Sequence, residues 1–404
     1  MLIAAVAFTL RVALMLLTRR YHFAHIEQTN YAFGFETGSI AGSLASGMGF
    51  SSPFGVPTGP TAWIAPLYPA MLAAIFKLFG LYSTASAVAI LTMNSAFAAL
   101  TCVTIHALGC ELDCRPAARL AAWCWAVIPF FMRWPTTWAW DPPVSAFLLS
   151  LLILIAVRLR SLEWRPWACC GVAWGATALV NPALLSLMPL ALLYSGWQWR
   201  RKALPRAAFA FAVMLMLISP WLVRNRLAMG HWVFLRDNFG FEFSLGNFQG
   251  SPGVAWSGAH PANNPRVMEE YRRLGEVEFC RQKFEAAERW VSANPRDFAA
   301  LSLKRAMDFW DGDELQHESP ATETWKPWMV LLTSALAWAG MLVLFMRRVP
   351  GRRLLLGVLC VYPLPYYFTY TNPRYRHAIE PEMLLATAYL FWVLWSELRR
   401  RRAT

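Results

Sequence analysis

AVAILTMNSAFAALTCVTIHAL, residues 87–108, is the stretch that decides the fold class. It contains no Asp, Glu, Lys or Arg, and a helix of this length rises about 33 Å, enough to cross the hydrocarbon core of a bilayer. Similar runs follow: SAFLLSLLILIAV at 145–157, AFAFAVMLMLISPWLV at 208–223 and MVLLTSALAWAGMLVLF at 329–345. The sequence therefore predicts an all-α integral membrane protein.

The composition agrees with this prediction. Of 404 residues, 57% are hydrophobic and only 15% are charged, whereas soluble proteins carry about 25% charged residues. A chain with so few charges cannot cover a water-soluble core. A soluble enzyme is therefore excluded, and the surplus apolar surface is expected to face lipid.

About ten segments have the length and composition of membrane spans. They occupy residues 2–17, 84–107, 117–131, 142–158, 166–181, 183–198, 206–223, 327–346, 353–369 and 382–397.

The positive charges indicate an orientation for these spans. With the N-terminus inside, the inner connectors hold the basic runs, among them the arginines at 347–353 and 399–402, and they account for the net charge of +13. Lys and Arg near span ends resist translocation, so both termini are expected inside. Arg19 and Arg20, after the first span, are the main exception. A nucleic-acid partner is not needed to explain a basic balance distributed in this way.

Two long segments then lie on the outer side, at residues 18–83 and 224–326. They divide the chain into an N-terminal membrane core (1–223) with its first outer loop (18–83), an outer subdomain (224–326) and C-terminal membrane helices (327–404). In the first loop, apolar spacing predicts interfacial helices near residues 35–44 and 66–79. In the outer subdomain, helices are expected from about residue 266 to 291 and, with Asn294 as cap, from 295 to 310.

Glu36 is the first candidate catalytic residue. It lies at the outer membrane surface beside Phe33, Gly34 and Phe35, where desolvation would raise the pKa of its carboxyl toward that of a general base. The alternative is that its charge stabilises the first turn of a helix.

Asp141 precedes Pro142 and Pro143 at the outer start of the fourth span. One interpretation is an ordinary helix cap. The other is that Asp141 and Glu36 meet at the outer interface, as base and second carboxylate or as ligands of a divalent metal ion.

The segment TNPRYRHAIEPE, residues 371–382, concentrates charge before the last span. Arg374, Arg376 and His377 suit a phosphate or pyrophosphate, because guanidinium groups bind such oxygens bidentately. Arg224 and Lys77 are further candidates for this lipid-phosphate site. The alternative is that these long side chains only reach from the membrane to its polar surface.

Short motifs along nearly the whole chain resemble a family. They are FGFETGSIAGSLASGMGFSSPF (33–54), GPTAW (59–63), PLYPAMLAAIFKLFG (66–80), NPALL (181–185), PWLVRN (220–225) and NPRYRHAIEP (372–381). This arrangement resembles the GT-C superfamily of multi-span glycosyltransferases, and is most similar to bacterial aminoarabinose transferases and protein O-mannosyltransferases.

The resemblance implies a function and a site. Such enzymes move a sugar from a polyprenyl-phosphate carrier to a lipid, glycan or protein acceptor on the outer face of the membrane. Their first outer loop carries an acid used as base or metal ligand, which falls here on Glu36, with Asp141 as the second acid. Many members have an Asp-Glu pair where this chain has Phe35 and Glu36.

The resemblance also bears on the phosphate contacts and the location. Some relatives have a Lys where this chain has Ala65, so Lys77, Arg224, Arg374 or Arg376 would supply the positive charge. Direct, inverting displacement in a bacterial inner (plasma) membrane is implied. A lipid-linked sugar flippase or transporter is the alternative function, and it predicts polar residues near the bilayer midplane.

Overall fold

The computed structural model of the protein describes residues 1–22, 31–196, 199–253, 257–312 and 325–403. The backbone in these ranges is helical, apart from loops and an isolated antiparallel bridge between Ser51 and Pro60. The predicted all-α class is therefore confirmed.

The α-helices are numbered here in chain order. They are α1 Leu2–Leu17, α2 Glu36–Ala45, α3 Leu67–Phe79, α4 Thr84–Glu111, α5 Arg115–Val127, α6 Pro129–Thr137, α7 Pro142–Arg158, α8 Trp164–Val180, α9 Met188–Gly196, α10 Leu204–Met229, α11 Phe239–Gly246, α12 Pro265–Leu274, α13 Glu276–Ala293, α14 Pro295–Asp311, α15 Trp325–Met346, α16 Arg352–Val361, α17 Leu364–Phe368, α18 Pro373–Arg376 and α19 Glu380–Ala403. Short 3₁₀ turns adjoin several of them, including Pro182–Leu187 before α9 and His377–Ile379 before α19.

Within the described ranges, four helical stretches are long and apolar enough to cross a membrane. These are Thr84–Glu111, Arg201–Met229, Trp325–Met346 and Pro373–Arg402. A fifth candidate is the pair α6 and α7, in which the helix axis bends by 119° at the break between them. The count of ten spans and their orientation stay predictions.

Three predicted spans are interrupted in the structure. The segment 117–131 is divided because α5 ends at Val127 and Pro129 starts α6. The segment 353–369 is divided ahead of Pro363, and 183–198 begins with a 3₁₀ turn at Pro182. Proline lacks the N–H that a continuing helix needs and restricts the residue before it. Hydropathy alone does not predict these breaks, because it does not describe the backbone restrictions of proline.

The long helices pack side by side in one bundle. α4 contacts α1, α5 and α7, while α8 lies along α10 and α15 lies along α19. The core between them is apolar, with Trp125, Trp167 and Trp174 fully buried. Because α7 is packed within this bundle, the residues just before Pro142 and just after Arg158 have fixed positions at its two ends.

Helices α11–α13, in the segment predicted to form the outer subdomain, pack against the first loop. Phe54 and Trp63 of that loop share a buried cluster with Phe241, Tyr271 and Phe279 of the subdomain. This apolar contact holds the first loop over the end of the bundle where α7 begins.

Candidate active site

A cavity of about 390 Å³ lies where the first turns of α2 and α7 meet the segments that flank α11 and α18. Its charged lining residues are Glu36, Asp141, Arg236, Glu242 and Arg374. Aromatic side chains, including Trp63, Tyr68 and Trp140, complete the walls. A concave site of this size with a few convergent polar groups is typical of a binding site for a small molecule or head group.

A tight turn presents Glu36 to the cavity. Gly34 has φ +86° there, and a Cβ at this position would lie 2.6 Å from the carbonyl oxygen of Ala139. Only glycine fits both constraints. The N–H of Ala139 also donates to the carbonyl of Ala32 at 2.9 Å. The turn is therefore packed directly on the segment that leads into α7.

His260 holds the carboxylate of Glu36. Its Nε2 lies 3.2 Å from Oε1 of Glu36, and its Nδ1 accepts the N–H of Ala262 at 3.2 Å. Because Nδ1 is an acceptor, the proton of the neutral ring is on Nε2, which donates to Glu36. The Glu36 side chain keeps 25% of its surface exposed, and it lines the cavity. His260 is thus a positioning residue that leaves part of the carboxylate open.

The pKa of Glu36 lies below its ordinary value. Burial raises this pKa, but the hydrogen bond from His260 lowers it, and the positive charge of Arg374 lowers it further. The sequence-based prediction that desolvation raises the pKa is therefore wrong in its net direction. Glu36 is ionised at neutral pH and is able to accept a proton.

Asp141 lines the same cavity. Asn94 donates to the carbonyls of Trp138 and Trp140, both at 3.2 Å, and so fixes the segment before Asp141. The Asp141 carboxylate accepts from the hydroxyl of Ser145 at 2.9 Å. It occupies the N-cap position of α7 but caps no backbone N–H there. The simple cap interpretation is therefore corrected, since the carboxylate lines the cavity instead.

Arg374 supplies a positive charge to the same cavity. Its guanidinium lies 4.8 Å from the ring centre of Trp140 and 5.1 Å from that of Tyr375. One Nη donates to the Tyr375 hydroxyl at 3.2 Å. These contacts fix the plane of the guanidinium and leave other N–H donors for an anionic ligand.

A second charged cluster, on the segment before α11 and at its start, is not predicted by the sequence. The hydroxyl of Tyr370 donates to Glu242 at 2.5 Å, and Asn238 donates to the other carboxylate oxygen at 2.6 Å. Arg236 lies 4.0 Å from Glu242 and lines the cavity. Nothing in the local sequence around Arg236 or His260 marks either residue, because their partners are distant along the chain.

Arg376 and His377, predicted to bind phosphate, do not line this cavity. They are buried and share the carboxylate of Glu380, at 2.8 Å and 2.7 Å. Arg376 also donates to the hydroxyls of Thr333 and Ser334 on α15. Arg374 and Arg376 are two residues apart in a helical turn and so differ by about 200° around its axis. Arg374 therefore lines the cavity while Arg376 faces the bundle.

Arg224 and Lys77 are also outside the cavity lining. Arg224 donates to the carbonyls of Thr61 and Phe50 and stacks on Trp221, so it ties α10 to the first loop. Lys77 is exposed on the last turn of α3. Of the five predicted phosphate ligands, the structure brings only Arg374 to the cavity that contains Glu36.

Glu36 and Asp141 are the candidate ligands of a divalent metal ion. In the described ranges, no group of three or more His, Cys, Asp and Glu side chains is arranged to hold a metal ion. Glu36 and Asp141 line the cavity together, but Glu36 is engaged by His260 and Asp141 by Ser145. Two carboxylates thus line the cavity, without a third Asp, Glu, His or Cys ligand beside them in the part of the chain that the structure describes.

No protein-family profile and no curated protein sequence matches this chain. Solved structures do match. The oligosaccharyltransferase of Archaeoglobus fulgidus in complex with Zn and sulfate aligns with a TM-score of 0.56 and 14% identity, over 99% of this chain and 50% of that one. The same enzyme, AglB, with an inhibitory peptide and a dolichol-phosphate aligns with a TM-score of 0.56 and 13% identity, over 99% and 51%.

A third structure of that enzyme, tethered to an acceptor peptide containing the NVT sequon, aligns with a TM-score of 0.50 and 14% identity, over 91% of this chain and 46% of that one. The chain thus spans about half the length of these proteins. At such identities the likeness concerns the fold. On that basis the chain has the fold of the archaeal oligosaccharyltransferase AglB.

Proposed function

We propose that this protein is a membrane glycosyltransferase that moves a sugar from a polyprenyl-phosphate-linked donor to an acceptor. The observation that carries the proposal is the joint presence of an ionised acid, Glu36, and a fixed guanidinium, Arg374, in one cavity. A base and an anion-binding group side by side are what transfer from a phosphate carrier requires.

The structural neighbours support the classes of donor and acceptor. One holds a dolichol-phosphate and an inhibitory peptide, and another is tethered to an acceptor peptide. By analogy with them we propose a lipid-linked donor and a glycan, lipid or protein acceptor for this chain. No nucleic acid takes part.

The mechanism is a direct displacement. Glu36 accepts the proton of an acceptor hydroxyl while the hydroxyl oxygen bonds to the anomeric carbon of the sugar. The bond from that carbon to the phosphate oxygen breaks, and the electron pair leaves on polyprenyl phosphate. Attack opposite to the leaving group inverts the anomeric carbon, and no covalent enzyme intermediate forms.

Each polar side chain of the cavity has a separate role in this mechanism. His260 orients Glu36 and keeps it ionised. Arg374, with Arg236 from the second cluster, stabilises the phosphate as its charge develops, in a partly dehydrated site where such contacts are strong. Asp141 orients the acceptor. No step is assigned to a metal ion.

We further propose that the cavity opens on the outer side of the inner (plasma) membrane. The support is the charge distribution, since the basic runs lie at the opposite ends of the helices, where the positive-inside rule expects the cytoplasm. Both termini are then cytoplasmic, and the first loop and outer subdomain are extracytoplasmic.

The first prediction concerns Glu36→Gln. Glutamine keeps the shape and can still accept the hydrogen bond from His260, but it cannot take up a proton. Release of polyprenyl phosphate from a synthetic polyprenyl-phosphate sugar, with an envelope extract as acceptor, should fall by about 10²–10⁴-fold. Liquid chromatography with mass spectrometry measures the released lipid.

A matched control is Glu285→Gln, which removes one carboxylate from the exposed surface of α13. Its turnover should equal that of the wild type. If Glu36→Gln turns over at the wild-type rate while remaining folded and monodisperse, Glu36 is not the base.

A further inference from the structure

A second cavity, of about 610 Å³, lies at the far end of α7. Asp141 borders the first cavity at the start of this helix, and residues 156–160 border the second at its other end. The 17 residues of α7 separate the two by about 25 Å. The second cavity is therefore a separate site on the opposite side of the bundle, the side of the basic connectors.

The charged lining of this cavity is entirely basic. Arg160, Arg352 and Arg353 line it, and no Asp or Glu does. Glu111 stands nearby and accepts hydrogen bonds from Arg158 and Arg160 at 2.9 Å and 3.1 Å. One acid against four arginines leaves an excess of three positive charges.

The arginines at the start of α16 keep donors for a ligand. Arg352 uses one Nη on the carbonyl of Val349 at 3.0 Å and lies 5.7 Å from the ring centre of Phe345. Arg353 is exposed. A guanidinium has five N–H donors, so Arg352 retains most of them. Gly351, Arg352 and Arg353 also put the N-terminal end of α16, with its partial positive charge, at the cavity.

Most of the remaining lining is apolar, apart from Tyr194 and Ser195. Leu190 and Leu193 of α9 and Leu354 of α16 line the cavity below the arginines. The side chain of Leu193 is 68% exposed. A soluble anion gains nothing from such a wall, whereas an acyl chain beneath a phosphate would cover it.

We propose that this groove binds one anionic phospholipid of the leaflet on the arginine side. The phosphate of its head group contacts Arg352 and Arg353, with Arg160 across the groove, and one acyl chain lies along Leu190 and Leu193. Basic pockets between membrane helices on the cytoplasmic side are suited to such head groups. This site is independent of the proposed transferase reaction and would support the end of the bundle opposite to the catalytic cavity.

The test is native mass spectrometry of the full chain, stripped of lipid in detergent and titrated with phosphatidylglycerol or phosphatidylcholine. The wild type should retain one phosphatidylglycerol in preference to phosphatidylcholine. The double variant R352Q/R353Q should bind phosphatidylglycerol at least about tenfold more weakly, since two charge-assisted contacts are lost. The control R115Q/R119Q removes two exposed arginines from α5 at the same end of the bundle and should bind as the wild type does.

Two further arms identify the ligand. Leu193→Trp fills the apolar wall at an exposed position and should also weaken phosphatidylglycerol binding, while glycerol phosphate without acyl chains should not displace the lipid. If R352Q/R353Q and R115Q/R119Q lose equal affinity for phosphatidylglycerol, the lipid binds through diffuse surface charge and the proposal is overturned. Displacement by glycerol phosphate, or no effect of Leu193→Trp, would overturn the assignment to a lipid.

Discussion

Glu36 shows how one neighbour reverses the effect of burial on a carboxyl group. Desolvation raises its pKa, yet His260 and Arg374 together hold the pKa below the ordinary value. His260 is itself surrounded by aromatic rings, with the ring of Phe54 at 5.3 Å and that of Phe241 at 5.6 Å. The packing leaves the imidazole one orientation, and that orientation serves Glu36.

His260→Phe should therefore change the pH dependence of turnover. Phenylalanine preserves the aromatic packing but removes the donor, so the pKa of Glu36 should rise. The base would then be protonated at a higher pH, and the acidic limb of the rate profile should move upward in pH. His260→Gln, which retains a donor, should shift the limb less. An acidic limb that is the same in His260→Phe and the wild type would contradict the positioning role.

Arg374 and Arg376 are two residues apart but lie in different environments. Arg374 lines the cavity, so Arg374→Gln should lower kcat/KM for the lipid-linked donor by about 10² or more with little change in melting temperature. Arg376 is buried in an ion pair with Glu380, so Arg376→Gln should cost about 3–5 kcal/mol of stability, because it leaves a buried carboxylate without that partner.

Turnover assays and thermal unfolding of the two purified variants separate these effects. Arg374→Lys keeps the charge but loses the stacked plane over Trp140, and should recover part of the activity. A large loss of stability in Arg374→Gln with normal kinetics would reverse the assignment of the two residues.

At the scale of elements, Glu276 links the outer subdomain to the first loop. Its carboxylate, at the start of α13, accepts from the hydroxyl of Thr61, the N–H of Ala62 at 2.7 Å and the hydroxyl of Tyr271 at 2.8 Å. Trp63, the next residue of the loop, lines the cavity that contains Glu36. The position of one cavity wall thus depends on this buried acid.

The docking of α13 should weaken as pH rises. Burial raises the pKa of Glu276 from 4.5 to about 7, so the folded protein holds this proton over a range in which the unfolded chain has lost it. The contribution to the free energy of unfolding is full below pH 4.5 and falls by up to about 3 kcal/mol as pH rises through 7. Hydrogen exchange of the α13 amides between pH 5 and 8 measures it.

Glu276→Gln is the matched variant for this measurement, because it cannot titrate. Burial also raises the pKa of Asp237, to about 6. Asp237 therefore lowers stability with rising pH in the wild type and in Glu276→Gln alike. The difference in pH dependence between these two proteins is the contribution of Glu276. Parallel pH dependences in wild type and Glu276→Gln would show that Glu276 does not titrate in this range.

Local signals predicted elements well where they were strong. The helices expected at 35–44, 66–79 and 295–310 are observed as α2, α3 and α14. The charged stretch from about 266 to 291 was expected to be helical throughout, but it divides at Gly275, with φ +76°. The side chain of Asn294 donates to the carbonyl of Trp290 instead of capping α14.

The site was less predictable because it depends on contacts between distant residues. Glu36 and Asp141 could be identified from their positions at the outer ends of apolar segments. His260 could not, since it lies 224 residues from its partner. Arg376 was misassigned because a run of basic residues does not reveal which of them face a cavity and which pair inside the bundle.

At the scale of the whole molecule, the fold supports two chemically different ends. One has a loop and a helical subdomain over a cavity lined by acids and bases. The other has arginines around an apolar groove. This difference between the two ends suits an enzyme that works on one face of a membrane, and the orientation inferred from the basic runs stays a prediction.

The most direct test of the account is a mass balance on the purified protein in proteoliposomes. Synthetic polyprenyl-phosphate pentoses and hexoses serve as donors, and an envelope extract from cells lacking the protein supplies the acceptor. We predict that polyprenyl phosphate is released mole for mole with glycosylated acceptor and that the transferred sugar has the inverted anomeric configuration. Movement of the intact donor between leaflets, without release of polyprenyl phosphate, would contradict the transferase and establish a flippase instead.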